Sequence, residues 1–190
     1  NPDYRPDMLK IYPCLVIKGT PLYIQWERGQ FSPITTAVAA ELIAEFKRVV
    51  PKWCRIMRVN RDIPTYVTSA GIDRTNLRQY VLKVQQQKGI ICNCIRCREI
   101  GRKGWSGESK ITVMEYEGSS GKEFFIAAED PVNDALIGFC RMRFPSQQLR
   151  EEITPTTAII RELHVYSAAV AIGKEPDEKV KMQHRGFGKK

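Results

Sequence analysis

An α/β fold in two successive parts is predicted for this chain by two patterns and the point where one gives way to the other. Up to about residue 90, short β-branched runs alternate with helical periodicities. After about residue 104 there are only strand-like runs separated by turn signals. A cysteine cluster marks the change, so the sequence divides into residues 1–90, a junction at 91–105 and a second region at 106–190.

Residues 11–18 (IYPCLVIK) are apolar, rich in β-branched side chains and closed by Gly19, which predicts a strand. Ser32, Pro33 and the Thr35-Thr36 pair then supply a turn and an N-cap. From Thr36 the residues Val38, Leu42 and Phe46, with Ala39, Ile43 and Val50, recur at helical spacing until Pro51 stops the run. Residues 54–59 read as another strand. Thr75 offers a cap for a second helix whose apolar face is Leu77, Tyr80, Val81 and Val84 and whose end is Gly89. Strand, helix, strand, helix implies parallel strands with crossover helices, a piece of an α/β layer or barrel. Beyond Gly104, residues 111–117, 123–128, 135–144 and 158–166 are predicted strands. Turn signals at Ser119-Ser120-Gly121 and at 131–134 make them an antiparallel meander. Residues 174–181 (KEPDEKVK) are charged and contain Pro176, which predicts an exposed loop.

Composition narrows the class. The chain has 190 residues, 43% hydrophobic and 27% charged, the balance of a folded, soluble protein. No run approaches the roughly 18 to 20 apolar residues needed to cross a bilayer, and no secretory leader opens the sequence. A cytoplasmic protein with no membrane partner is the expectation. The chain starts at Asn1, and Lys189 and Lys190 follow a glycine-rich turn with no element after it, so a fragment is expected. Of the net charge of +9, the decisive part is local: residues 47–110 hold 15 Lys or Arg against Asp62, Asp73, Glu99 and Glu108. Such a segment suits a polyanion, because each neutralised phosphate releases condensed counterions. A solvated positive face is the competing reading. Arg55, Arg58, Arg61, Arg96, Arg98, Arg102 and Lys103 are the candidate contacts.

Two motifs carry chemistry. Cys92, Cys94 and Cys97 have C-x-C-x-x-C spacing, and three neighbouring thiols in a reducing compartment converge naturally on one metal ion. Arg96 and Arg98 would lower their pKa values and favour thiolates. Zinc is the expected metal, with Cys54, His164, His184 or water open as the fourth ligand; an iron–sulfur cluster with an open iron, whose C-x-x-x-C-x-x-C spacing is absent, and three adjacent thiols with no metal are the other readings. Gln183, His184, Arg185, Gly186, Phe187 and Gly188 fit Q-x-x-G-x-G, where two missing side chains let main-chain N–H groups approach a pyrophosphate. Upstream of that loop runs Ile159 to Tyr166, in which Glu162 and His164 alternate onto one face, either as an acid–base pair or as a satisfied strand pair. Trp26, Trp53 and Trp105 are read as packing anchors, and Cys14 and Cys140 as buried core thiols.

Taken together, these residues resemble the Elongator complex protein three family in its archaeal or bacterial form. The resemblance runs through most of the chain: Arg5 to Pro13, Lys18 to Thr20, Val50-Pro51, Arg55 to Pro64 with its Arg-Asp-Ile-Pro, Asn76 to Arg78, Cys92 to Glu99, Ile137-Gly138, Arg161 to Tyr166 and Gln183 to Gly188. It implies the C-terminal part of a radical-SAM (β/α) barrel over 1–90, a cysteine zinc junction over 91–105, and over 106–190 the N-terminal half of a GNAT-type acetyltransferase domain with a mostly antiparallel sheet. It implies an acyltransferase that places a carboxymethyl-type group at carbon five of the wobble uridine of tRNA. Acetyl-CoA would be the donor and a SAM-derived radical the bond-forming species. Zinc would bind Cys92, Cys94 and Cys97. Acetyl-CoA would lie against Glu162, Leu163, His164 and Val165 and be held by Gln183, His184, Arg185, Gly186, Phe187, Gly188 and Lys189. The resemblance places the 4Fe-4S cluster and S-adenosyl-methionine with a cysteine triplet that this sequence lacks. The later acetyltransferase helices and a tyrosine pair are also missing, and Ser167 stands where the family commonly has glycine. The fragment alone is therefore expected to be inactive, with its catalytic residues elsewhere. A homodimer or an Elongator-like assembly is the expected form. Two other readings of the same residues are a protein-lysine N-acetyltransferase and a zinc-stabilised tRNA-binding module without turnover.

Overall fold

The computed structural model describes residues 1–166 together with Gly186 and Phe187, so the predicted loop at 174–181 lies outside the described residues. It divides into a unit of Asp7–Arg96 and a unit of Asn1–Pro6 with Cys97 onward.

In the first unit, β1 (Met8–Ile11) and β3 (Arg55–Val59) pair in parallel, from Met8 opposite Arg55 to Ile11 opposite Val59. A parallel pair needs a crossover, which here carries α1 (Pro21–Glu27) and α2 (Thr36–Arg48). The single strand predicted over 11–18 is instead two, β1 and β2 (Val16–Ile17), with Pro13 in the gap. Proline has no N–H to give to a ladder, and the break leaves Cys14 exposed rather than buried. β2 pairs antiparallel with β4 (Thr68–Ala70), a departure from the parallel arrangement predicted. Gly71 follows at φ +112, where an added Cβ would lie 2.9 Å from the Cys14 carbonyl oxygen. The short α1 is absent from the sequence prediction; Thr20 caps it by accepting the Tyr23 N–H at 3.2 Å, and Pro21 opens it.

α2 begins where predicted, with the Thr35 hydroxyl accepting from the Val38 N–H. Only part of its predicted apolar face is buried, the part that holds Ala39 and Ile43. Val38, Leu42 and Phe46 are 57%, 61% and 41% exposed, while Ala39, Ala40, Ile43 and Ala44 are buried. Two apolar stripes lie side by side on this helix. The alanine-rich one allows closer approach to α3 (Leu77–Gln87), where Leu77 and Val81 complete the core with Ile72 and Ile90. Buried Lys47 donates to Gln85 Oε1 at 2.6 Å, and Gln85 in turn faces the Ile90 carbonyl. α3 is preceded by Asn76 rather than capped by Thr75, and Asn76 Nδ2 donates to Gln79 Oε1 at 2.7 Å.

The second unit is built on a four-stranded antiparallel sheet in chain order: β5 (Lys110–Gly118), β6 (Gly121–Asp130), β7 (Ala135–Phe144) and β8 (Ile159–Val165). The β5–β6 hairpin turns through Ser119 and Ser120 at φ +47 and +60, with Gly118 opposite Gly121. Arg143 holds that turn by donating to the carbonyls of Gly118 (2.8 Å) and Ser119 (3.0 Å). At the other end of the sheet, Ile100, Ala128, Ala135 and Ile137 form a core against which Trp105, Val165, Tyr166 and Phe187 pack. Among the described residues no helix is long and apolar enough to cross a membrane.

Candidate metal centre and sheet-edge site

The cysteine segment leaves α3 through Gly89, at φ +62, and enters the one-turn helix α4 (Ile95–Arg98). The Ile95 N–H donates to the Cys54 carbonyl at 3.0 Å, which fixes the start of that turn. Cys92 and Cys94 are buried, Cys97 is half-buried, and the three Sγ atoms lie within 4.8 Å of one another. Tetrahedral zinc with Zn–S bonds of about 2.3 Å needs sulfurs roughly 3.8 Å apart, so a small contraction brings all three onto one ion. The donor set therefore fits zinc. Among the described residues no further donor joins the three, and His184 lies outside them.

The basic candidates do not share one environment. Arg58 is exposed and pairs with Asp62; Arg61 is exposed with its guanidinium 5.3 Å from the Tyr12 ring centroid; Arg55 and Arg96 are half-buried. Arg102 and Lys103 are exposed in α5 (Ile100–Lys103), Arg102 bonding Glu99 at 3.3 Å. Arg98 departs from the expectation of an RNA-facing side chain. It is 1% exposed and bonds Glu129 and Asp134, because those carboxylates flank the β6–β7 turn beside it.

β8 closes one side of the sheet and pairs with β7, with no described strand beyond it. The Tyr166 N–H donates to the Ile137 carbonyl at 2.8 Å. In an antiparallel pair, alternate residues turn both main-chain groups the same way. Tyr166, His164 and Glu162 thus face β7, while Leu163 and Val165 turn their N–H and C=O to the open edge. Gly138 permits this register, since a Cβ there would meet the His164 carbonyl oxygen at 2.8 Å.

Glu162 accepts from Arg141 Nε at 2.8 Å, and buried Arg141 lies over the rings of Phe125 and Phe139. His164 stands 4.3 Å from the Tyr166 ring and stacks on Phe139. The strand-pair reading of Glu162 is the one its bond to Arg141 supports. Sequence reasoning missed Arg141 and Phe139; the signal was their period-2 spacing on β7 opposite Glu162 and His164. Of the glycine motif, the described part is Gly186, at φ +80 with nothing among the described residues within 4 Å of an added Cβ, and Phe187, which like Val165 and Tyr166 packs against the Ile100, Ala128, Ala135 and Ile137 cluster. Gln183, His184, Arg185, Gly188 and Lys189 lie outside the described residues.

Residues 6–86 match the Radical_SAM C-terminal domain family. Over its whole length the chain is 44% identical to the tRNA uridine(34) acetyltransferases of Methanocaldococcus infernus and Methanocaldococcus jannaschii, covering 36% of each. It is 39% identical to human Elongator complex protein 3 across 99% of the chain and 35% of that protein. The solved structure of the archaeal Methanocaldococcus infernus Elp3 with its N-terminus deleted superposes with a TM-score of 0.89 at 42% identity, over 100% of this chain and 46% of that one. The chain thus spans about a third of the length of the curated relatives it matches.

Proposed function

The chain belongs to the Elongator complex protein 3 family, and on that premise we propose that it is part of an enzyme modifying the wobble uridine of tRNA, with acetyl-CoA as acyl donor. The product is a carboxymethyl-type group at carbon five of that uridine. In this reading residues 1–90 are the C-terminal part of a radical-SAM barrel, 91–105 a zinc junction and 106–190 the first half of a GNAT-type acetyltransferase domain. S-adenosyl-methionine and an iron–sulfur cluster, when bound, supply the radical. The sequence has no C-x-x-x-C-x-x-C run, so no residue of this chain is assigned to that cluster.

The observation that carries the acetyl-CoA reading is the open edge of β8 beside the glycine motif. Leu163 and Val165 offer main-chain donors and acceptors there, spaced for the amides of a pantetheine arm laid alongside as an added strand. Phe187 packs in the same cluster as Val165, which keeps the Gly186 end of the motif near that edge. Main-chain amides freed at Gly186 and Gly188 would meet the pyrophosphate. Cys92, Cys94 and Cys97 hold zinc as a structural ion, and Arg55, Arg58, Arg61, Arg96, Arg102 and Lys103 face the tRNA backbone.

The test is calorimetric titration of acetyl-CoA into the full-length protein and its Gly186→Val variant. At φ +80 a β-branched residue is strained, and its side chain blocks the approach to the amides. The variant should bind at least about tenfold more weakly, a loss of roughly 1.4 kcal/mol. Equal affinities would remove the loop assignment. Turnover assays offering tRNA and a lysine peptide in parallel then decide the acceptor, and transfer to the peptide alone would exclude the tRNA reading.

A further inference from the structure

Arg98 follows the last cysteine of the triad and is, with Arg141, the largest fully buried side chain among the described residues. Its Nη2 lies 2.5 Å from Glu129 Oε1 and its Nε 3.3 Å from Asp134 Oδ1. The other oxygen of Glu129 accepts from the Thr112 hydroxyl at 2.9 Å, so the carboxylate is itself held on the sheet. The next residue, Glu99, makes an isolated parallel bridge with Leu136. Arg98 is therefore clamped twice, by its side chain at the β6–β7 turn and through its neighbour's main chain at the start of β7. Cys97 and Arg98 are adjacent in the single turn of α4.

A buried ion pair is weak support for stability alone, since desolvation offsets the Coulomb gain, and Arg98 Nη1 has no partner among the described residues. Precise placement of what precedes it is a better account. We infer that Arg98, held by Glu129 and Asp134, is a positioning residue for the metal centre, fixing the turn that presents the Cys97 sulfur. The inference rests on the reading of the triad as a zinc site. Cys97 is the least buried of the three thiols, so its thiolate is the one whose departure would open the ion to water and chelator.

The experiment follows zinc transfer from the purified full-length protein to a colorimetric chelator, in wild type and in Arg98→Ala, Arg98→Lys, Glu129→Gln and Phe125→Leu. Outer partners of metal ligands typically change affinity about 10- to 100-fold. Arg98→Ala and Glu129→Gln should speed release by that order. Arg98→Lys keeps the charge but not the planar fork, and should recover part of the difference. Phe125→Leu loosens the same sheet at a distance in sequence and register from the turn, and should leave release unchanged despite a lower melting temperature. Cobalt substitution adds a second readout, because the thiolate charge-transfer bands of Arg98→Ala should weaken or shift. If zinc-loaded wild type and Arg98→Ala release metal at the same rate, the positioning role is overturned and the zinc reading stands. If Phe125→Leu accelerates release as much as Arg98→Ala, the effect is general loosening and the role is likewise overturned. A wild-type protein that retains no zinc overturns the metal reading and this inference with it.

Discussion

Asp130 is fully buried, yet burial does not set its titration. Desolvation pushes its carboxyl upward, but donors from the Ser106 N–H and hydroxyl and from the Asn133 and Val132 N–H groups outweigh it and hold the pKa below the ordinary range. A carboxylate depressed on folding stabilises the native state at pH values above its unfolded pKa of about 3.9 and loses that contribution as pH falls through the folded value. Asp130→Asn should therefore lower the melting temperature by roughly 3 °C or more at neutral pH, with the gap to wild type closing in acid below pH of about 4. Melting curves from pH 7 down to 3 measure this; a constant gap would mean that the loop around Ser106 is held by packing instead. Glu162 illustrates the opposite outcome for a carboxylate singled out in the sequence. Its spacing with His164 allowed either acid–base chemistry or a satisfied strand pair, and its bond to Arg141 favours the second, in a network that only the folded sheet assembles. Nothing in the local sequence distinguishes those two fates, because the partner lies on the adjacent strand.

At the scale of elements, Gly138 sets how closely β7 and β8 approach. A Cβ there would come 2.8 Å from the His164 carbonyl oxygen and 3.3 Å from the Val165 Cα, both main-chain atoms that cannot rotate away. Gly138→Ala should cost about 1–3 kcal/mol, and the cost should fall on this strand pair. Hydrogen exchange of the Tyr166 amide, which donates to Ile137, should accelerate more than that of the β5–β6 ladder. Uniform exchange across the sheet would contradict a local clash. The meander itself was legible because alternation and the Ser119-Ser120 and 131–134 turns are local signals that need no distant partner. α2 was legible in position and only in part in orientation, since Ala39 and Ile43 of the predicted face are buried while Val38, Leu42 and Phe46 are not. Two apolar stripes satisfy the same 3.6-residue period, and the choice belongs to the surface of α3, which local pattern does not contain. The split of the first strand was readable in principle from Pro13, and the antiparallel β2–β4 pairing was not, since its register is fixed by pairs 51 and 54 residues apart, Ile17 with Thr68 and Val16 with Ala70.

For the whole molecule, charge is the property the sequence disclosed best in sum and least well residue by residue. The excess of basic residues over 47–110 is a fact of composition, but folding sorts them: Arg98 goes inside to meet Glu129, Lys47 is buried against Gln85, and Lys88 pairs with Glu41. What remains outward on β3 and just beyond it is Arg58 and Arg61, with Arg55 half-buried and Lys10 set opposite Arg58 in the ladder. Lys10 and Arg58 sit opposite one another across the parallel pair, while Arg55 and Arg58 are three residues apart on one strand, which spreads the basic side chains along β3 rather than gathering them at one point. If these three arginines contact tRNA phosphates, replacing them together with glutamine removes about three charge contacts from the counterion balance. The slope of log affinity against log salt should then fall in magnitude by about two to three, at roughly 0.7 to 0.9 per phosphate. Measured between low and physiological salt, the affinities of wild type and variant should converge as salt rises, because the variant has less electrostatic attraction left to lose. An unchanged slope with weaker binding would mean that the substitutions acted through the fold of β3. An unchanged slope with unchanged binding would make this a solvated face, and the polyanion would have to be sought among Arg96, Arg102 and Lys103.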